Sequence, residues 1–106
     1  MKIGIVVYSD DSETVWNAFR FANFTLSMGD EVKVFLLGKG VGSDSLDTDK
    51  INISEQLQTF VNRGGKVFAC GFCLEFHQLE APSTYTVSTM KDLYEIVKES
   101  DKIVTF

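Results

Sequence analysis

Lys2-Ile3-Gly4-Ile5-Val6-Val7-Tyr8 is a continuous, β-branched, apolar run near the start of the chain. A strand with one wet face alternates polar and apolar side chains, whereas a strand covered on both faces does not. The run therefore predicts a buried strand of a parallel sheet. Ser9-Asp10-Asp11-Ser12 follows as a turn, with Asp10 and Glu13 spaced like a capping box that has Asp in place of Ser. Val15, Phe19, Ala22 and Leu26 then recur at helical spacing, and Gly29 stands where a helix ends on a left-handed residue.

The alternation continues along the chain. Glu31 to Leu37 starts by alternating and ends fully apolar, as a second strand entering the middle of a sheet does. Gly38, Gly40 and Gly42, followed by the polar residues Ser43 to Asp49, read as a long connection that is either functional or mobile. Asn52 and Glu55 form a cap signal for a second helix with inner residues Ile53, Leu57, Phe60 and Val61, stopped at Gly64-Gly65. Lys66 to Cys70 is a third strand. Phe72 to Gln78 is ambiguous, with a short helix as one reading, and Ala81-Pro82-Ser83 breaks the chain. Tyr85 to Val87 reads as a short strand, Ser88 as the cap of a helix with inner face Met90, Leu93, Ile96 and Val97, and Ile103 to Phe106 as the last strand.

Strands alternating with helices over short connections define an α/β fold: a three-layer α/β/α sandwich whose parallel sheet has about five strands. With 106 residues and 44% hydrophobic content, residues 1–106 are expected to form a single domain. Nine Phe, one Trp and three Tyr are many for so short a chain, which suggests that some face a partner subunit in a homo-oligomer. Trp16 and Phe21, flanking the inner stripe of the first helix, are candidates for either core or interface.

Fifteen acidic against ten basic residues give a net charge of −5, which repels phosphate backbones and argues against nucleic acid as a partner. No apolar run approaches the roughly 18 residues of a membrane span. Met1 to Tyr8 enters its strand without the basic stretch and cleavage site of a signal peptide, so a cytoplasmic location is expected.

In parallel sheets the chemistry gathers beyond the carboxyl ends of the strands. Ser9–Ser12, Gly38–Gly42 and Cys70–His77 should therefore meet on one edge. Cys70 closes the third strand and Cys73 follows two intervening residues later. A thiolate is the nucleophilic form of cysteine, and the N–H groups of a following helix stabilise it. Two thiols so placed point to chemistry at the thiols or to metal, against the bland alternative of two small buried hydrophobes. Cys70, Cys73 and His77 have a zinc-like spacing, but a structural zinc needs four ligands and the chain has no third Cys and no second His. Metal is expected to be dispensable, and no cofactor is called for. A thioredoxin-type dithiol is a third reading; the pair, however, follows the third strand and no Trp or Pro brackets it. His77 is either a plain polar residue or a proton donor and thiolate partner. The glycines at 38, 40 and 42 do not match a phosphate-binding fingerprint, and their expected use is freedom for a loop over the cysteine edge. Asp10 and Asp11 read as turn and cap.

The segments Lys2–Tyr8, Thr14–Asn23, Gly29–Val41, Gly65–Leu74 and Asp101–Phe106 together resemble the DsrE/DsrF-like proteins, most specifically in Ala69-Cys70-Gly71-Phe72-Cys73-Leu74. The resemblance implies a five-stranded parallel α/β/α domain, assembled as a homo- or hetero-oligomer, in which a cysteine at the end of the third strand accepts sulfane sulfur. That position matches Cys70, and relatives with both thiols match Cys73. The implied function is a sulfurtransferase-like carrier that receives sulfur as a persulfide and hands it between donor and acceptor proteins. Cys70 is expected to be the openly presented carrier and Cys73 the less exposed thiol. A noncatalytic oligomeric module that binds a small molecule or metal at the same edge is the competing expectation.

Overall fold

A computed structural model describes all 106 residues. The strands are β1 (Lys2–Val7), β2 (Glu31–Leu36), β3 (Lys66–Cys70), β4 (Tyr85–Ser88) and β5 (Lys102–Thr105). The helices are α1 (Ser12–Ser27), α2 (Ile53–Asn62), α3 (Gly71–Phe76) and α4 (Met90–Glu99), with a 3-10 helix over Gly38–Ser45. All neighbouring strands are parallel, in the order β4-β3-β2-β1-β5. The chain steps outward from β1 to β4 and then crosses back past β1 to lay down β5. Right-handed crossovers in opposite directions put their helices on opposite faces, and the three-layer α/β/α architecture follows.

On one face, Ile3, Ile5 and Val7 of β1, Val32, Val34 and Leu36 of β2, and Val67 and Ala69 of β3 are all buried, as are Val15 and Phe19 of α1 and Leu57 and Phe60 of α2. Phe19 and Phe60 meet edge to face with centroids 6.3 Å apart, joining the two helices over the sheet. On the other face lies α4, whose place is marked by Gly4: a Cβ there would stand 2.8 Å from side-chain atoms of Ile96, Ser100 and Ile103. An ion pair between Lys33 of β2 and Glu99 of α4 lies on the same face.

Several local expectations shift. The cap of α1 is Asp11, not Asp10: its carboxylate accepts the Thr14 N–H at 3.0 Å. The cap of α4 is Thr89, not Ser88; Thr89 and Asp92 form a reciprocal capping box, and Ser88 instead ends β4. Of the expected inner face of α4, only Ile96 is buried; Leu93 is half-buried, and Met90 and Val97 are exposed. A single helix crossing a five-stranded sheet finds surface for a narrow stripe only. The glycine-rich connection is not a free loop. It forms the 3-10 helix, with Gly40, Val41 and Ser43 buried. Gly40 is there for close approach, since a Cβ would lie 2.1 Å from the Val7 carbonyl oxygen. Gly29 and Gly64, with φ of 87° and 94°, do end α1 and α2 in the left-handed region, as their positions predict.

Candidate functional site: a thiol pair at the carboxyl edge of the sheet

β3 ends at Cys70, and the chain turns at once into α3. Cys70 is the residue before the helix, and its sulfur takes the capping role usually filled by an oxygen: Sγ accepts the Cys73 N–H at 3.3 Å. The ambiguous stretch after Gly71 is helical over Gly71–Phe76, and the thiol satisfies one of the helix's free N–H groups. Cys73, one turn on, accepts the Gly38 N–H at 3.2 Å. Gly38 can aim its N–H this way because it leaves β2 with φ of 57°.

Both thiols are free, with no disulfide between them. Their exposure reverses the expectation. Cys70 is buried, 5% exposed, while Cys73 is half-buried. A residue closing a central strand packs into the core, and here Cys70 joins the core cluster; Cys73 stands on a helical turn above it. Burial, first, and the hydrogen bond with Cys70, second, push the Cys73 thiol above the ordinary range, while the Gly38 N–H pulls it back. Cys73 thus keeps its proton at neutral pH.

Three adjoining hollows lie at this edge, and the thiols line two of them. The largest, about 400 Å³, is lined by Cys70, Cys73, Phe72, Val87, Ser88, the α4 cap Thr89 and the first residue of α4, Met90, together with Gly71. A second, about 190 Å³, lies between Gly38, Cys73, Phe72, Phe76 and His77. A third, about 340 Å³, brings Asp10, Lys39 and Gly42 to His77. The three segments expected at one edge, around Asp10, Gly38–Gly42 and Cys70–His77, do meet there. His77 is exposed, ends α3, and packs edge-on against Phe76 with centroids 5.1 Å apart; no imidazole hydrogen bond reaches either sulfur. No three Cys, His, Asp or Glu side chains converge into a ligand set for a metal ion.

Two contributors escaped the sequence reading. Gly38 supplies an N–H to Cys73, and its only sequence signal is a glycine directly after a strand. Ser88 pairs in register with Cys70. Nothing along the chain announces that, because it depends on which strands are neighbours.

A parallel α/β/α domain with a thiol ending its third strand and a second thiol on the next turn defines a class of cysteine proteins built around the carboxyl edge of the sheet. The chain belongs to the DsrE/DsrF-like family, whose pattern it matches over residues 1–106. Among related sequences it is 36% identical over 100 residues to an uncharacterized protein of Methanopyrus kandleri, covering 89% of this chain and 83% of that protein. It is 35% identical over 100 residues to an uncharacterized protein of Methanocaldococcus jannaschii, covering 89% and 88%. Among solved structures it is similar to the ychN protein from E. coli, with a TM-score of 0.88, 22% identity and coverage of 100% of this chain and 99% of that one. A conserved protein of unknown function from Bacteroides thetaiotaomicron aligns with a TM-score of 0.78, 24% identity and coverage of 99% and 94%. These structural likenesses establish the fold. No helix of the chain is long and apolar enough to cross a membrane.

Proposed function

We propose that the protein is a persulfide-carrying sulfur-relay protein, sulfurtransferase-like in its chemistry, with Cys70 as the carrier and Cys73 and His77 as its attendants. The observation that carries this reading is the position of Cys70 Sγ, at the end of β3, accepting an N–H from the first turn of α3 and lining the 400 Å³ hollow. Membership of the DsrE/DsrF-like family supports it. A carrier differs from an ordinary buried thiol in needing an N–H to steady negative charge and room beside the sulfur for one more atom; Cys70 has both.

The chemistry is two displacements at sulfur. The Cys70 thiolate attacks a sulfane sulfur of the donor, the donor's S–S bond breaks, and its electron pair leaves on the donor's remaining sulfur. An acceptor thiolate then attacks the outer sulfur, and the bond to Cys70 breaks to regenerate the thiolate. Cys73, held protonated above the hollow, gives a hydrogen bond to the Cys70 sulfur between these steps. His77, exposed at the rim, supplies or removes the partner's proton.

Donor and acceptor are proteins in this reading, and the chain acts as one domain within a homo-oligomer in the cytoplasm. Phe72 is 76% exposed at the mouth of the hollow, and Phe76 stacks on it at 6.4 Å, an apolar rim suited to protein contact. Sedimentation should show an assembly larger than the 11.9 kDa chain; a stable monomer at micromolar concentration counts against it.

The central test is intact mass after exposure to inorganic polysulfide. Wild type and Cys73→Ser should gain sulfur on Cys70, the latter with altered lifetime, and Cys70→Ser should gain none. Sulfur that loads in Cys70→Ser and not in Cys73→Ser moves the carrier to Cys73. If neither cysteine loads, the apolar hollow is better read as a noncatalytic binding site for a small molecule.

A further inference from the structure

Ser88 is 6% exposed, and its hydroxyl is buried without any hydrogen-bond partner. Buried hydroxyls almost always find a partner, because leaving one unmade costs stability. The other such atom in the chain, Asn23 Oδ1, belongs to an amide whose nitrogen already donates to Gln56 between α1 and α2. Ser88 has no such excuse, and it lines the hollow that Cys70 lines.

The two residues are register partners on adjacent parallel strands, so their side chains leave the sheet on the same face. Strand spacing sets their backbones about 4.8 Å apart. The Ser88 hydroxyl makes no hydrogen bond to the Cys70 thiol. A persulfide extends the side chain by one S–S bond of about 2.05 Å into the hollow. That outer sulfur is the anionic atom, and Ser88 carries the one buried, unpartnered hydroxyl in the lining; the Thr89 hydroxyl is exposed and caps α4, accepting the Lys91 N–H at 3.3 Å. The remaining titratable groups of the lining are the two thiols. Asp92 on α4 faces away into its cap, accepting the Thr89 N–H at 3.4 Å. Thr89 and Met90 bring the partly positive start of α4, a helix of 10 residues, to the same hollow.

We infer that the Ser88 hydroxyl is the hydrogen-bond donor for the outer sulfur of a Cys70 persulfide, unpartnered in the free thiol because its partner arrives with the sulfur. This rests on the carrier reading above. Loading is balanced as follows. The Cys70 thiolate attacks a terminal sulfur of a polysulfide chain, one S–S bond breaks, and the electron pair leaves with the chain shortened by one atom. The thiolate's charge departs with the shortened chain, the outer sulfur keeps the negative charge it had as the terminal atom of the polysulfide, and Ser88 donates to it without losing its proton. The site thus distinguishes the loaded from the empty state through one residue, and it favours a bound sulfur anion over a free thiol.

The test loads wild type, Ser88→Ala and Ser88→Thr with inorganic polysulfide, follows the persulfide on the Cys70 peptide by mass spectrometry, and measures alkylation against pH for loaded and unloaded protein. Ser88→Ala should shorten the persulfide lifetime about tenfold, the worth of one hydrogen bond to a charged group. Its persulfide should reach half-maximal alkylation about one pH unit higher, while the alkylation profile of the unloaded Cys70 thiol stays in place. Ser88→Thr keeps the hydroxyl and should restore both readings. Wild-type lifetime and midpoint in Ser88→Ala, with wild type loading normally, overturns the inference and spares the carrier reading. An equal shift in the unloaded thiol, or failure of Ser88→Ala to fold, makes the hydroxyl structural and also overturns it. Absence of loading in wild type overturns the carrier reading itself.

Discussion

The two faces of the sheet are built from similar side chains and put to different use. Under α1 and α2, every inward residue of β1, β2 and β3 is buried, and Phe19 and Phe60 close the layer. On the α4 side, Phe35 is buried and Phe68 half-buried, but Tyr94 of the covering helix is 61% exposed, and Val97, Met90 and Ile103 are exposed beside it. Cys70 and Ser88 share the parity of Phe68 and Thr86, so two residues lining the hollow at the carboxyl edge belong to this less covered face. Apolar area removed from water stabilises a fold, and apolar area left in water does not. The first face is sealed; the second keeps large apolar side chains in water.

The sharpest way to break this contrast is to cut into the sealed face. Phe60→Ala should cost about 3–5 kcal/mol, because the ring fills the space between Phe19 and Gly65 and leaves a cavity when removed. Urea denaturation would measure it; a loss under about 1 kcal/mol, the level of a surface change, would mean that the face is not close-packed. Gly40→Ala comes next, at about 1–3 kcal/mol, since the new methyl meets the backbone of β1 rather than a side chain that can swing aside. The same change should disturb the position of Gly38 and slow alkylation of neither thiol equally: Cys73, which accepts the Gly38 N–H, should respond more than Cys70. Peptide-level mass spectrometry of alkylation rates separates the two.

Thr89→Ala probes the boundary between β4 and α4. Losing the capping box should cost about 1 kcal/mol, and thermal unfolding would show whether α4 contributes that much to a face it covers so thinly. The smallest effect belongs to Tyr94→Ala. With its ring in water, unfolding of the isolated chain should change by no more than about 0.5 kcal/mol. If the exposed side chains of α4 form an interface, the same variant should lower the assembly state in sedimentation while leaving the chain folded. A large loss of folding stability in Tyr94→Ala would erase the distinction between the faces.

Titration sharpens the comparison within the site. Burial and the adjacent sulfur raise Cys73, so its alkylation should climb only above the ordinary thiol value of about 8.5. A group with a raised pKa keeps its proton as pH rises through the ordinary range, which leaves Cys73 a donor at neutral pH. An alkylation midpoint for Cys73 below that value would reverse its role.

Local pattern was enough for much of this protein. The β-branched run at Lys2–Tyr8, the stripes Val15-Phe19-Ala22 and Ile53-Leu57-Phe60, and the left-handed glycines at 29 and 64 each impose their structure through contacts a few residues long, and strands alternating with helices then leave a parallel α/β sheet as the solution. The placement of Cys70 at a strand end was legible for the same reason. Hydrophobicity also says that a residue prefers burial, but it does not say whether enough surface exists to bury it: Met90 and Val97 have the right spacing and remain exposed because α4 lies alone on its face. Capping residues shifted by one position, from Asp10 to Asp11 and from Ser88 to Thr89, because adjacent polar residues are near-equivalent caps until packing fixes where the helix starts. The depth of Cys70, the Gly38 N–H on Cys73 and the pairing of Ser88 with Cys70 join residues up to 35 positions apart. Only the order and register of the strands bring them together, and those are decided by the packing of the whole sheet rather than by any stretch of the chain.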